Sequence, residues 1–261
     1  MPCGGHRRAR FETVKDSLPG RFVLGGRRPV GEAIRSGRAN RVMVARGARR
    51  TEGLQGLLGE AEGAGLRIEW VEPAAIEALG LRDHQGVAAT VTVPRELDEH
   101  DLATTAFEPD ALVVVLDGIT DPQNLGACAR SAESAGAALL ISRKRRAAPL
   151  SVGAVKASAG ALLHLAMARV ANIARVLESL KERGFYVVGL DQSASSDIHS
   201  SPTPPRPLAL VVGAEDVGLS RLVREACDEL VAIPMSGQTS SLNAAAALAV
   251  ALFGYALRPP K

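Results

Sequence analysis

Two uninterrupted apolar runs constrain this chain more than any other feature. Ala111-Leu-Val-Val-Val-Leu116 and Leu208-Ala-Leu-Val-Val212 carry no polar residue on either phase of a strand. A strand with one wet face alternates apolar and polar side chains. An unbroken run belongs to a strand covered on both faces, as in a parallel sheet flanked by helices. The core chemistry agrees: the chain is 46% apolar but only 3% aromatic, so Ala, Val, Leu and Ile must fill its interior.

Around these runs the pattern alternates strand and helix, the mark of an α/β fold with a mostly parallel sheet. Strands are expected at Ala138–Ser142, weakly at Leu165–Ala168, and at Phe185–Leu190. Helices are expected from Asn124 to Ala135, from Pro149 to Ser158, and from Ile173 to Arg183, where Ile173, Val176, Leu177 and Leu180 recur at helical spacing and Gly184 caps the end. Ala244 to Leu252 is apolar nearly all round and must be buried, against the sheet or a second subunit. A smaller α/β unit precedes it, with strands near Arg21, Arg41–Ala45, Leu66–Trp70 and Gly86–Val93, and helices at Pro29–Ser36, Glu52–Ala64 and Pro73–Leu79. The expected organisation is therefore a flexible basic arm over 1–20, a small α/β domain over 21–95, a polar linker over 96–110, and the larger α/β domain over 111–261.

Charge divides the chain unevenly. Residues 1–50 hold 13 Lys/Arg against 3 Asp/Glu, a net +10; the whole chain is +3, so the remainder carries −7. A basic N-terminal part on a mildly acidic body suits a polyanionic partner; a solvated, charge-rich surface has the same composition. Arg143-Lys-Arg-Arg146 forms a second basic cluster after a strand. No leader or membrane span is expected, and the cytoplasm is the default location. Cys3, Cys128 and Cys227 form no CxxC pair, and the five histidines have no ligand spacing, so no disulfide framework or metal site is expected. Neither GxxxxGK[ST] nor GxGxxG after a strand occurs, which weakens kinase, ATPase and Rossmann dehydrogenase readings.

Three polar loops follow buried strands, where ligands gather in open α/β sheets. They are Asp117-Gly-Ile-Thr-Asp-Pro-Gln-Asn-Leu-Gly-Ala-Cys-Ala-Arg130, Gly213-Ala-Glu-Asp-Val-Gly218, and Ile233-Pro-Met-Ser-Gly237 with Ser240-Ser-Leu-Asn243. Each also has a plain structural reading. Asn124 can be a helix N-cap, Glu215 and Asp216 favour a helix N-terminus, and Ser241 and Asn243 can cap the Ala-rich helix. Alone, Arg130 reads as a surface cation.

In their order and spacing over about 150 residues, the three loops resemble the three motifs of the SpoU-type RNA ribose 2′-O-methyltransferases of the SPOUT superfamily. Gly25-Gly-Arg-Arg-Pro-Val through His84-Gln-Gly-Val also resembles the family's substrate-binding domain, whose fold is like a small RNA-binding ribosomal protein. Having both domains brings the chain closest to the bacterial enzymes that methylate a guanosine ribose in 23S rRNA. An adenosine-directed resistance-type enzyme, a tRNA enzyme and a non-catalytic RNA-binding or assembly protein are the alternatives. Two departures are mild: Gln238-Thr239, and Ala244-Ala-Ala after Asn243, where the family often shows Val-Ser-Val.

The resemblance implies a trefoil knot after Gly213, S-adenosyl-L-methionine as cofactor, and a homodimer through the knot domain. It implies cofactor contacts at Leu190, Gly213, Ile233 and Leu242, and a catalytic group of Arg130, Asn124, Glu215, Ser241 and Asn243. In this reading Arg130 binds an RNA phosphate and positions the 2′-hydroxyl for in-line attack, and the other four hold Arg130 and the ribose. RNA contacts are expected from Arg7, Arg8, Arg10, Arg27, Arg28, Arg143, Lys144, Arg145 and Arg146. RNA is implied over DNA because only RNA offers a 2′-hydroxyl.

Overall fold

The computed structural model describes residues 20–81, 83–239 and 241–257. Arg7, Arg8 and Arg10 lie outside the described residues. The chain divides into two compact units, the second beginning at Pro94.

The first unit is a four-stranded sheet with three helices. Its elements are β1 (Arg21–Gly25), α1 (Arg27–Arg35), β2 (Ala39–Ala45), α2 (Glu52–Gly63), β3 (Arg67–Val71), α3 (Pro73–Glu77) and β4 (Val87–Thr92). The strand order is β1-β4-β2-β3; β4 runs antiparallel to both neighbours, and β2 and β3 are parallel. Alternation along β2 sends Met43 and Ala45 to a cluster with Ile76 of α3 and Ala88 of β4. Val42 and Val44, both fully buried, face the other way. Thr51 caps α2 by accepting from Leu54 N.

The second unit contains α4 (Glu99–Thr104), β5 (Leu112–Asp117), α5 (Pro122–Ser134), β6 (Leu139–Arg143), α6 (Val152–Ala157), β7 (Met167–Val170), α7 (Ile173–Glu182), β8 (Tyr186–Leu190), β9 (Ser196–Asp197), β10 (Leu208–Gly213), α8 (Arg221–Ala226), β11 (Glu229–Ala232) and α9 (Ala244–Ala251). The seven strands are ordered β7-β6-β5-β10-β8-β11-β9, and every pairing is parallel. All six residues of β5 and all six of β10 are buried, as their unbroken apolar runs require. Val113, Val115, Ala209 and Val211 face α7 and α8, packing with Leu177, Leu180 and Val223. The intervening residues face the opposite layer, where α5 packs against α6 and α9. Gly126 permits the α5–α6 approach: a Cβ there would meet Ala157 Cβ at 2.5 Å.

One expectation changes. The stretch 96–110, read from sequence as a connecting linker, is built into the second unit. A capping box forms α4, with Asp98 accepting from His100 N and Asp101 N, and Asp101 accepting from Asp98 N. Leu97 bridges Ala168 at the sheet edge, and Phe107 meets Phe185 edge-on with ring centroids 5.1 Å apart. Helix α9, expected to be buried against the sheet or a second subunit, is covered on one side only by this chain. Ala244, Ala245, Leu248 and Ala251 are buried, but Val250 and, in the turn beyond, Phe253 and Leu257 are exposed, Phe253 by 53%. The same turn buries Tyr255, whose hydroxyl shares Glu229 Oε2 with Tyr186 at 3.3 Å each.

Candidate active site

The carboxyl ends of β5, β8, β10 and β11 gather the three polar loops. After β5 the chain turns at Gly118, whose φ of 86° is left-handed. Asp121, not Asn124, caps α5, accepting from Gln123 N at 3.1 Å. The helix thus starts at Pro122, two residues before the expected Asn124. Proline suits this position because it lacks the N–H that a first turn leaves unpaired. Asn124 is thereby released from capping and sits in the first turn with its amide turned outward.

That amide meets the other two loops. Asn124 Nδ2 donates to Glu215 Oε1 at 2.6 Å, across 91 positions of sequence. Asn243 Nδ2 donates to the same Glu215 oxygen at 2.5 Å and to Asn124 Oδ1 at 2.9 Å. Asn243 Oδ1 meanwhile caps α9, accepting from Ala245 N and Ala246 N. So Asn243 caps the helix and joins the other two loops at once. The cluster lies at the surface: Glu215 and Asn243 are exposed and Asn124 is partly buried. Beneath it, burial and then the charge of Glu215 push the Cys128 thiol up to about 12.

Beside the cluster opens a cavity of about 380 Å³. Leu190, Gly213, Ile233 and Leu242 all line it, as do Glu215 and Ser241. Its volume falls within the roughly 300–1,000 Å³ of small-molecule sites. Val212, Val231, Ala244 and Ala247 supply apolar wall, and Asp191, Ser193 and Arg224 a polar side. Arg224 bridges Asp191 at 2.9 Å and donates to Ser193 Oγ at 2.6 Å. Gly213 has no room for a side chain, because a Cβ would stand 2.1 Å from the Gly218 carbonyl carbon. This mix of apolar wall, close backbone and polar rim fits a nucleoside joined to an amino acid. Asp191, Ser193 and Arg224 were missed from sequence because their approach to Gly213 is a tertiary event.

The remaining expected residues are placed differently. Arg130 lies six residues along α5 from Asn124, about 9 Å of helical rise. It is exposed, and among the described residues it has no hydrogen-bond or ion-pair partner. Asn124, Glu215 and Asn243 therefore hold one another and do not hold Arg130. Arg143, expected at RNA, turns inward: Nε donates to Asp117 Oδ1 at 2.7 Å and Nη2 to Ser220 Oγ at 3.0 Å. Lys144, Arg145 and Arg146 are exposed.

In the first unit Arg28 is exposed, whereas Arg27 is drawn in to Thr51 Oγ1 and to Arg49 O at 3.0 Å. Arg46, Arg49 and Arg50, exposed in the loop after β2, add cations that sequence reading passed over although the run Arg46-Gly-Ala-Arg-Arg50 was visible. Among the described residues no group of His, Cys, Asp or Glu is placed to hold a metal, and no helix is long and apolar enough to cross a membrane.

Comparison with known proteins bears on both units. The model of the SpoU rRNA Methylase family matches residues 111–253, and that for RNA 2′-O ribose methyltransferase substrate binding matches residues 23–97. The 23S rRNA (guanosine-2′-O-)-methyltransferase RlmB of Photobacterium profundum is 43% identical over 209 residues, covering 78% of this chain and 84% of that protein. The protein of the same name from Haemophilus influenzae is 41% identical over 215 residues, covering 81% and 87%. Among solved structures, the SpoU methyltransferase AviRb from Streptomyces viridochromogenes, in complex with the cofactor AdoMet, superposes with a TM-score of 0.73. It is 30% identical, over 90% of this chain and 89% of that one.

Proposed function

The chain belongs to the SpoU rRNA methylase family, and from that premise we propose that it transfers a methyl group from S-adenosylmethionine to the 2′-hydroxyl of a guanosine ribose in 23S rRNA. The observation that carries this reading is the meeting of Asn124, Glu215 and Asn243 at the mouth of a cavity lined by Leu190, Gly213, Ile233 and Leu242. The cofactor supplies a methyl group already activated by a sulfonium charge. What remains for the protein is to align the ribose and raise the nucleophilicity of its hydroxyl.

Gly213, Ile233 and Leu242 hold the cofactor, chiefly through backbone, with Leu190 completing the wall. The Asn124–Glu215–Asn243 cluster fixes the shape of the rim where the ribose must lie, and Ser241 offers a hydroxyl to it. Arg130, exposed and without a partner among the described residues, binds the RNA phosphate next to the target ribose and so positions the 2′-hydroxyl. A guanidinium is already protonated and cannot take the proton; a phosphate oxygen is the acceptor this placement offers. Arg130→Ala should lose turnover in a tritiated-methyl assay while calorimetry shows unchanged cofactor affinity. Full turnover in that variant would remove Arg130 from the mechanism.

We extend the reading to assembly and to RNA. The exposed apolar residues Val250, Phe253 and Leu257 at the end of α9 and in the turn beyond it support a homodimer through the second unit. The placing of β10 between β5 and β8, with α9 folded back onto α5, supports a trefoil knot. Arg28, Arg46, Arg49, Arg50 and Lys144–Arg146, all exposed, are the RNA-facing cations, and the substrate implies work in the cytoplasm. Methyl transfer to unmodified ribosomal RNA, followed by mass-spectrometric mapping, tests the whole. A modified adenosine or a tRNA product would reassign the substrate, and no transfer would leave an RNA-binding protein.

A further inference from the structure

The loop that forms one wall of the cavity, Ala214–Leu219, starts where β10 pairs with Asp117 of β5 and ends on the buried Asp117 carboxylate, which lies outside the cavity. Asp117 is the last residue of β5, and its side chain is only 2% exposed. In the sheet, Asp117 pairs in register with Gly213, where the loop begins. Its Oδ2 accepts from Ser220 N at 2.7 Å, just past where the loop ends. Its Oδ1 accepts from Arg143 Nε at 2.7 Å, and Arg143 Nη2 donates in turn to Ser220 Oγ at 3.0 Å. One carboxylate and one guanidinium thus tie the ends of β5 and β6 to Ser220 at the far end of the loop, while sheet pairing with β5 fixes its start at Gly213. Within the loop, Gly218 N returns to Ala214 O at 2.8 Å, which keeps it compact.

We propose that Asp117 and Arg143 are positioning residues that hold the Ala214–Leu219 loop in its cofactor-receiving shape. A buried ion pair is a weak stabiliser, since apolar residues of similar volume often do as well. What apolar residues cannot do is fix the direction of a loop by three directed hydrogen bonds. The loop needs that direction: it lines the cavity along its length and carries Glu215, which both Asn124 and Asn243 grip. It leaves Arg143 spoken for, so the RNA-facing part of the basic run is Lys144–Arg146. The inference rests on the cavity being the cofactor's.

The test compares full-length Arg143→Lys, Arg143→Met and Ser220→Ala with the parent chain, without RNA, by calorimetry with S-adenosylmethionine. Arg143→Met removes the charge and both donors, and its dissociation constant should rise about tenfold or more, the scale of a lost hydrogen bond to a charged group. Arg143→Lys keeps the charge without the fork and should recover part of that loss. Ser220→Ala keeps the Ser220 N–H on Asp117 and loses only the Arg143 contact to its hydroxyl, so its affinity should fall by a smaller factor than that of Arg143→Met. Hydrogen exchange at 214–219 should quicken in Arg143→Met, and KM for the cofactor should rise by a larger factor than kcat falls. Should Arg143→Met fail to fold, the ordering of parent, Ser220→Ala and Arg143→Lys carries the same test. Equal affinities and equal loop exchange in all variants would overturn the positioning role alone. A parent chain that binds no cofactor would overturn the cavity reading with it.

Discussion

Glu215 shows how much one side chain can be asked to do. One of its carboxylate oxygens takes two amide donors from residues far away in sequence, so its loss leaves Asn124 Nδ2 without an acceptor and Asn243 Nδ2 with Asn124 Oδ1 alone. We expect Glu215→Ala to lower kcat/KM by about ten- to a hundredfold, the range of one or two charged hydrogen bonds. Glu215→Gln keeps an acceptor and should lose less; steady-state kinetics separates the two. The cysteines give a residue-scale expectation of another kind. Burial first, then the charge of Asp228, pushes the Cys227 thiol up to about 12, matching Cys128. A raised thiol stays protonated, and the thiolate is the reactive form. Iodoacetamide at pH 8 should therefore leave the Cys128 and Cys227 peptides unmodified in native protein and label them in denatured protein, as read by peptide mass mapping.

At the scale of elements, capping decides which residues are free to act. Asp121 takes the N-cap of α5, which frees Asn124; Asn243 caps α9 and still spends its amide on the cluster. The difference lies in which atom is used, since an Asn cap needs only its carbonyl oxygen. Helix α9 raises the matter of its open face. Val250, Phe253 and Leu257 expose apolar surface that a monomer would leave in water. We expect Phe253→Asp to convert the proposed dimer to monomer in sedimentation equilibrium, because a charge cannot be buried there without a partner. A parent chain that sediments as a monomer would remove the dimer from the reading.

For the whole molecule, the question is how two compact units share one task. The first carries the excess of arginine, and the second carries the cavity and the Asn124–Glu215–Asn243 cluster. A chain of residues 94–261 should bind S-adenosylmethionine as tightly as the full protein. Its RNA affinity should fall, and its plot of log affinity against log salt should be shallower, by roughly 0.7–0.9 for each lost phosphate contact. Equal slopes for the two chains, measured by filter binding, would move RNA recognition into the second unit.

The sequence by itself determined the layers. Unbroken apolar runs at β5 and β10 announce strands covered on both faces, and helical spacing in α7 announces its buried side, because burial pattern is a property of near neighbours. Even α4, passed over as linker, had its signal in the Asp98–Asp101 capping box; a helix of six residues simply offers too few turns for periodicity to show. The order of the three loops was legible as well, through likeness to a family. Which groups each polar residue touches was decided only in three dimensions. Asn124 could cap α5 or reach another loop, Arg143 could face solvent or a buried carboxylate, and α9 could turn any of its faces to α5. Those choices depend on Glu215, Asp117 and the packing of α5, which lie 91, 26 and more than 100 positions away. A hydrogen bond is made by atoms within about 3 Å of one another, and no local pattern records which distant residue the fold will bring that close.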